Sequence, residues 1–250
     1  LTQFSYASKH GNVEDKYLRE IAAQDKLNQI KVQCEMLKPR FVIPFASFIW
    51  YSHEENYYMN DSINKIDHIK KYLESLSVTP IVMYPGSEYN IGDKYDNNNC
   101  IERYEIDYQN ISQSNTKKTI SKDLNILEEK AFSFIQKVWT SSKASYFILF
   151  FKPLYIHIAD LNISVKFSIF KGLIREDISK EKFHLIASSE VIDFCFSFDW
   201  GFNTTLVNGR FQYGANNGLK RINLYKSISD SLNHKDSIYK KIYRKFLRII

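Results

Sequence analysis

The feature that most constrains the fold is an apolar run that reaches a proline and opens into a polar loop. Residues 41–45 read Phe-Val-Ile-Pro-Phe, the pattern of a strand covered on both faces. The loop that follows is rich in polar side chains, namely Ser47, Ser52, His53, Glu54, Asn56 and Asn60. Since α/β domains usually place their chemistry in loops after buried strands, this segment predicts a functional site.

Helical and extended patterns alternate around this run. Residues 12–37 carry apolar side chains at helical spacing, and a second helix is predicted from Asp61 or Ser62 onward. Its inward positions are Ile63, Ile66, Ile69, Leu73 and Leu76. Another strand is predicted over residues 81–84. The order of strand, helix, strand, helix and strand predicts an α/β layered unit over residues 1–92.

A change in composition divides the chain. Residues 93–122 are dominated by Asp, Asn, Gln, Ser and Thr, which predicts a polar linker or a long surface loop without a core element. The domain boundary is therefore expected there, and residues 123–250 are expected to form a second, smaller domain.

The second half predicts an α+β domain. A helix is expected over residues 123–139 and strands over residues 154–159 and 163–170, followed by a helix from Ser188 or Ser189. Asn208-Gly209 between two short β-prone segments predicts a hairpin, with residues 204–207 and 210–213 as its strands.

Charge and cysteine content limit the partners and the compartment. The formal net charge is +6, but no zinc-knuckle, aromatic RNA-binding or helix-turn-helix signature accompanies it, so no nucleic-acid partner is predicted. The apolar run at residues 146–151 is much shorter than the roughly 20 residues of a membrane span. Cys34, Cys100 and Cys195 lie far apart, which favours a reducing cytoplasm.

Three segments of the first half carry a resemblance to a known family. They are residues 1–7 (Leu-Thr-Gln-Phe-Ser-Tyr-Ala), residues 38–56 with their Pro-Phe-Ala-Ser-Phe and Ser-His-Glu-Glu-Asn motifs, and Tyr84-Pro85-Gly86. Together they resemble the C-terminal half of metallo-β-lactamase-fold proteins, in the branch of CMP-N-acetylneuraminate hydroxylase and its bacterial relatives. The resemblance covers residues 1–92.

This resemblance implies a fold and a chemistry. The fold would be half of an αββα sandwich. The protein would be a hydrolase or an oxidoreductase, and its substrate would be a small molecule, with an anion as one option. Zinc or iron would be the cofactor, held mostly by a His-x-His-x-Asp-His loop upstream of Leu1. The chain is accordingly expected to be a fragment that is inactive alone.

One family ligand should fall inside the chain, as a histidine directly after the apolar strand. The matching positions are Pro44, Phe45 and Ala46, and alanine cannot bind a metal. Either fewer ligands are used, or His53 reaches in from the loop, or the site is rearranged. The six polar loop residues named above are expected to contact substrate, with a solvated loop as the alternative. Of Glu54 and Glu55, at most one would face a site as a general base.

The second half resembles sterol-carrier-protein-like modules in residues 193–201 and 203–211. The resemblance implies an apolar groove lined by Phe194, Phe196, Phe198 and Trp200. Core packing or contact with a second copy in a homodimer is the alternative. The alternative function is thus a non-catalytic binding or scaffolding protein that holds a lipid-like ligand or a partner subunit.

Overall fold

The protein is a mixed α/β chain of two compact units. Its computed structural model describes residues 1–140 and 152–233. The first unit spans Leu1–Lys117, and the second begins at Lys118. The apolar run at residues 146–151 lies outside the described residues.

The first unit contains three α-helices and two short strands. Its elements are α1 (Lys16–Leu37), β1 (Phe41–Val42), a 3-10 helix (Tyr57–Ser62), α2 (Ile66–Ser75), β2 (Thr79–Pro80) and α3 (Asn97–Gln113). The two predicted helices are confirmed, with α1 starting at Lys16 and α2 at Ile66. Helix α2 buries Ile66, Ile69 and Leu73 because these residues recur on one face.

The strands of the first unit are shorter than expected. β1 pairs in parallel with β2, and Thr2 forms a parallel bridge with Pro44 on the other side. Pro44 and Pro80 have no N–H to donate, so neither strand extends far as a regular ladder. Beyond β2, the N–H of Val82 donates to the Asn97 side chain at 2.7 Å. Residues 81–84 therefore do not form the predicted strand, because the Asn97 side chain, and not a neighbouring strand, accepts the hydrogen bond from the N–H of Val82.

The predicted linker at residues 93–122 is wrong for its central part, which forms α3. Asp96 caps this helix by accepting a hydrogen bond from the N–H of Asn98 at 2.9 Å. Cys100, Ile101 and Tyr104 are buried in the apolar core beside residues of α1 and α2. Because most of the helix faces outward, its overall polarity concealed this narrow buried stripe.

The second unit is built on one five-stranded sheet. Its strands are β3 (Leu154–Ile158), β4 (Ile163–Ser168), β5 (Gly172–Arg175), β6 (Leu185–Ala187) and β7 (Phe211–Tyr213). They lie in the order β5-β4-β3-β6-β7, and only the β3–β6 pair is parallel among these neighbours. The predicted β3–β4 pair and its turn are confirmed.

Within residues 118–140 and 152–233, four α-helices accompany this sheet: α4 (Leu124–Thr140), α5 (Ser189–Ser197), α6 (Gly201–Asn208) and α7 (Gly218–Asn233). The helix expected at residues 123–139 is confirmed as α4, and the helix expected from Ser188 or Ser189 is confirmed as α5. Alternate residues of β3 are buried together with the apolar stripe of α4, including Phe134. The sheet and its helices therefore share one apolar core.

The predicted hairpin at Asn208-Gly209 is wrong. Residues 201–208 form α6, and Gly209 ends that helix with φ of 67°, its N–H donating to the Thr205 carbonyl at 3.0 Å. β7 pairs with β6 instead. Phe202 and Thr205 are buried on the inner side of α6, which favours a helix before the Asn-Gly pair. The ability of glycine to adopt a positive φ therefore ends a helix here and does not form a hairpin turn.

Candidate functional site

The carboxyl ends of three parallel segments define the candidate site of the first unit. Thr2 lies beside Ile43 and Phe45, with backbone hydrogen bonds of 3.1 and 2.7 Å, and β1 lies beside β2. The loops that leave these segments cover residues 5–10, 45–56 and 83–87. Parallel segments end at a common edge, where open α/β sheets usually bind ligands.

Three of the six predicted site residues brace the loop from within. Ser47 is buried, and its hydroxyl accepts the Phe4 N–H at 3.0 Å. Asn56 is buried and accepts the His53 N–H at 3.1 Å. Asn60 accepts the Tyr51 N–H at 2.9 Å and donates to the carbonyls of Tyr51 and Tyr57 at 2.8 and 2.9 Å. Their polar groups shape the loop.

The other three predicted residues form a short extended stretch. The Lys117 N–H donates to the Ser52 carbonyl at 2.8 Å, and the Glu54 N–H donates to the Lys117 carbonyl at 3.1 Å. The side chains of Ser52 and His53 are half-buried, and that of Glu54 is exposed. The backbone pairing fixes this stretch, and Glu54 directs its carboxylate to solvent.

The residues described here do not fit a catalytic metal. Ala46, where the resemblance would place a histidine, has φ of 53°. Within residues 1–140 and 152–233, no group of three or more His, Cys, Asp or Glu side chains could hold a metal ion. We therefore derive no catalytic step through a metal at His53.

A buried basic cluster was not predicted from the sequence. The Arg19 side chain is only 1% exposed and binds Asp61 through Nε and Nη2 at 2.9 and 2.7 Å. Its remaining donors reach the carbonyls of Asn12 and Val13 at 2.6 and 3.1 Å. Burial raises the pKa of Asp61, but the hydrogen bonds from Arg19 and Ser62 outweigh it and lower that pKa overall. The carboxylate therefore stays ionised beside Arg19.

Lys9 adds a second buried cation to this cluster. Its ammonium donates to the Tyr58 hydroxyl and lies 5.2 Å from the centre of that ring. Burial, assisted by Arg19, lowers the pKa of Lys9 to about 7. A lysine with such a pKa is partly neutral at physiological pH and can accept a proton.

One sequence signal could have revealed part of this cluster. Arg19 lies three and four positions before Ala22 and Ala23, on the stripe that continues to Leu27 and Ile30, so a cation occupies an inward position of α1. No comparable signal marks Lys9, because its burial depends on the 3-10 helix that carries Tyr58, about 50 residues away.

The aromatic residues of the predicted groove in the second unit are divided between core and surface. Phe196 is buried in the core, so its predicted place in the groove lining is wrong. Phe194, Phe198 and Trp200 form a partly exposed cluster, with ring centres 4.7 to 5.4 Å apart. We call these three residues the aromatic surface cluster.

Comparisons of the chain with models of protein families, with curated proteins and with solved structures find no match. A search of the described helices finds none with the length and apolar character needed to cross a membrane.

Proposed function

We propose that the first unit belongs to a metal-dependent enzyme of the metallo-β-lactamase fold, a hydrolase or oxidoreductase acting on a small substrate. In this proposal, the unit is the C-terminal half of the αββα sandwich. The observation that supports it is the parallel arrangement of three segments, each running into a loop with polar residues at a common edge.

Substrate contact in this proposal falls to the half-buried and exposed side chains of Ser52, His53 and Glu54. Ser47, Asn56 and Asn60 hold the loop in shape through their hydrogen bonds to backbone groups.

The proposed metal, zinc or iron, has its ligands outside the described residues. These residues alone therefore supply binding and orientation, and the chain alone is expected to be inactive. We place the enzyme in the cytoplasm because its cysteines are free thiols.

Metal analysis of the protein purified from its native cells tests the proposal. We expect about one or two zinc or iron ions per protein, together with hydrolysis of a phosphodiester or ester probe, or oxygen consumption with a small anionic substrate. Ser52→Ala and His53→Ala should raise KM more than they lower kcat, whereas Ser75→Ala, on the exposed end of α2, should change neither. A protein without metal and without activity would refute the proposal.

A binding or scaffolding role is the second candidate function, favoured by the aromatic surface cluster. Phe198 and Trp200 are 41% and 44% exposed and stack at 4.7 Å. Such exposed aromatic residues suit a lipid-like ligand or a partner subunit, including a second copy. Light scattering would detect a dimer that Trp200→Ser dissociates, and a monomer that binds no fatty acid would exclude this candidate.

A further inference from the structure

A hollow of about 360 Å³ lies in the second unit, between the chain that leads into β3 and the first turns of α7. Three of the side chains that line it are cations, namely Lys152, Lys220 and Arg221. The others, which belong to Asn216, Asn217 and Leu224, carry no charge. We call this cavity the basic hollow. Its volume lies in the range of small-molecule pockets.

The three cations of the basic hollow are held together without a countercharge. None of them forms an ion pair with any of the described residues. Two hydrogen bonds bring their segments together: Arg221 Nη1 donates to the Pro153 carbonyl at 2.8 Å, and the Tyr225 hydroxyl donates to the Lys152 carbonyl at 3.1 Å. Because like charges repel each other, a cavity that gathers three of them attracts an anion.

The positive charge at the basic hollow extends into the protein. The Arg221 side chain is half-buried, and burial, assisted by Arg221, lowers the pKa of the buried His184 to about 4. Water and salt screen a fully exposed charge more effectively than a half-buried one. The charge of Arg221 is therefore not fully screened, and a bound anion would offset it.

The first turn of α7 adds uncharged donors beside these cations. The backbone N–H groups of Gly218, Leu219 and Lys220 donate to no acceptor among the described residues. Asn217 precedes the helix with φ of 53°, and its side chain forms no hydrogen bond within that part of the chain, so it does not cap these groups. Anionic oxygens can accept hydrogen bonds from N–H groups at the start of a helix, which adds to the attraction by the cations.

The neighbouring surface limits the kind of anion. A wider hollow of about 620 Å³ shares Asn217 and Lys220 with the basic hollow, and Tyr213 and Leu219 also line it. These two side chains offer apolar contacts to the rest of a molecule whose anionic group occupies the basic hollow. A phosphate monoester carries a charge of about −1.5 to −2 at pH 7 and three free oxygens, which suits several cations and N–H donors better than a carboxylate does.

We propose that the basic hollow binds the phosphate group of a small organic phosphate, whose organic part lies against Tyr213 and Leu219. Lys152 and Lys220 supply positive charge, and Arg221 supplies its remaining N–H donors to the phosphate oxygens. The site lies in the second unit. It uses no residue of the enzyme site proposed for the first unit and none of the aromatic surface cluster.

Calorimetric titration of the intact protein tests this site. The probes are orthophosphate, adenosine monophosphate and glucose 6-phosphate, with adenosine and glucose as uncharged counterparts, each up to about 10 mM at constant ionic strength. We expect at least one organic phosphate to bind more tightly than orthophosphate, and the uncharged compounds not to bind. Lys220→Gln should weaken this binding at least tenfold. Since Lys220 is exposed and unpaired among the described residues, the melting temperature of the free protein should stay unchanged.

A matched variant separates a specific site from general attraction to a basic protein. Lys171→Gln removes the same charge from an exposed lysine in the turn between β4 and β5, and it should leave the affinity unchanged. Amide NMR shifts on titration should be largest in residues 216–221. A short single-stranded oligonucleotide, which carries phosphodiesters, should bind less tightly than the organic phosphate.

Four results would overturn the proposal. They are the absence of binding by both organic phosphates, tighter binding of orthophosphate than of either, equal weakening by Lys220→Gln and Lys171→Gln, and tighter binding of the oligonucleotide that depends on Lys220. Each result is measured on the folded protein without any assay of enzyme activity, so the failure of this proposal and of the proposed function are distinguishable.

Discussion

The two units achieve compactness by different means. In the described part of the second unit, five strands and four α-helices share one apolar cluster that includes Phe134, Phe167 and Tyr225. In the first unit, regular pairing is confined to two-residue strands, and the apolar residues fall into two separate clusters. Buried polar and charged groups, among them Arg19 and Asn64, occupy much of the remaining interior.

This difference bears on where the proposed site lies. Among the described residues, the buried polar side chains of the second unit, such as His184 and Ser189, are uncharged in the folded state, whereas the first unit buries the cations Lys9 and Arg19, which must each find a hydrogen-bonding group at the right place. The first unit bears that cost around Lys9 and Arg19 and in the loop after β1. Proteins usually depart from apolar packing at functional sites, which supports placing the site in this unit.

The largest effect is expected from removing a central ring of the second unit. Phe167 is fully buried and contacts Phe196 and Tyr225, with ring centres 4.6 and 5.5 Å away. Phe167→Ala should lower the free energy of unfolding of this unit by about 3–5 kcal/mol, because a cavity replaces the ring. This loss in the free energy of unfolding can be measured by urea unfolding, with hydrogen exchange in peptides of the second unit as the readout. Phe170→Ala, at a site 54% exposed, is the control and should cost less than about 1 kcal/mol.

A comparable loss in the first unit should follow from removing a charge. Arg19→Ala leaves Asp61 and the carbonyls of Asn12 and Val13 without their donor, so we expect a cost of about 3 kcal/mol. Hydrogen exchange in peptides of α1 and the 3-10 helix measures this loss in the free energy of unfolding of the first unit. Lys16→Ala breaks an exposed pair with Glu20 on the same helix and should cost less than about 0.5 kcal/mol. Equal effects of the two variants would refute the contrast between the units.

A smaller loss is expected at Asn60. Asn60→Ala removes three hydrogen bonds to backbone groups of Tyr51 and Tyr57, which should lower the free energy of unfolding of the first unit by about 2 kcal/mol. Asn60→Asp keeps the acceptor for the Tyr51 N–H but places a carboxylate oxygen against the carbonyls of Tyr51 and Tyr57, so it should cost at least as much as Asn60→Ala. A neutral effect of Asn60→Ala in urea unfolding would contradict the bracing role of this side chain.

The effect that is smallest at neutral pH is a pH dependence of the second unit, which grows as the pH falls. His184 is buried and its Nδ1 accepts the Tyr155 N–H at 2.9 Å, which requires a neutral ring. Burial, assisted by Arg221, lowers the pKa of His184 to about 4. Between pH 6.5 and 4 the unfolded chain therefore binds a proton that the folded chain does not. As the pH is lowered through this range, the free energy of unfolding decreases by up to about 1.4 kcal/mol per pH unit.

The variant His184→Asn isolates this contribution, because its side-chain oxygen can accept the same hydrogen bond without titrating. The difference in unfolding free energy between the variant and the wild type should change across pH 6.5 to 4 and stay constant from pH 7 to 8. Parallel pH profiles of the two proteins would show that His184 does not titrate as described.

Prediction from sequence succeeded where the signal is local and failed where a distant partner decides. Helices α1, α2 and α4 follow from apolar residues three and four positions apart, and the β3–β4 pair from two β-prone segments joined by a short turn. The strand expected at residues 81–84 failed because the Asn97 side chain takes up the N–H of Val82. For the candidate site, the sequence predicts a polar loop after the apolar run, but the inward bracing by Ser47, Asn56 and Asn60 depends on backbone groups that folding brings near.

The alternation of helices with extended segments and the polar loop after an apolar run can be predicted from neighbouring residues, since periodicity and composition are local properties. The burial of Arg19 against Asp61, the helix end at Asn208-Gly209 and the hollows shared by Trp50 and Tyr108 arise only on folding. Each of these outcomes depends on packing between segments, and a local pattern does not specify its distant partner.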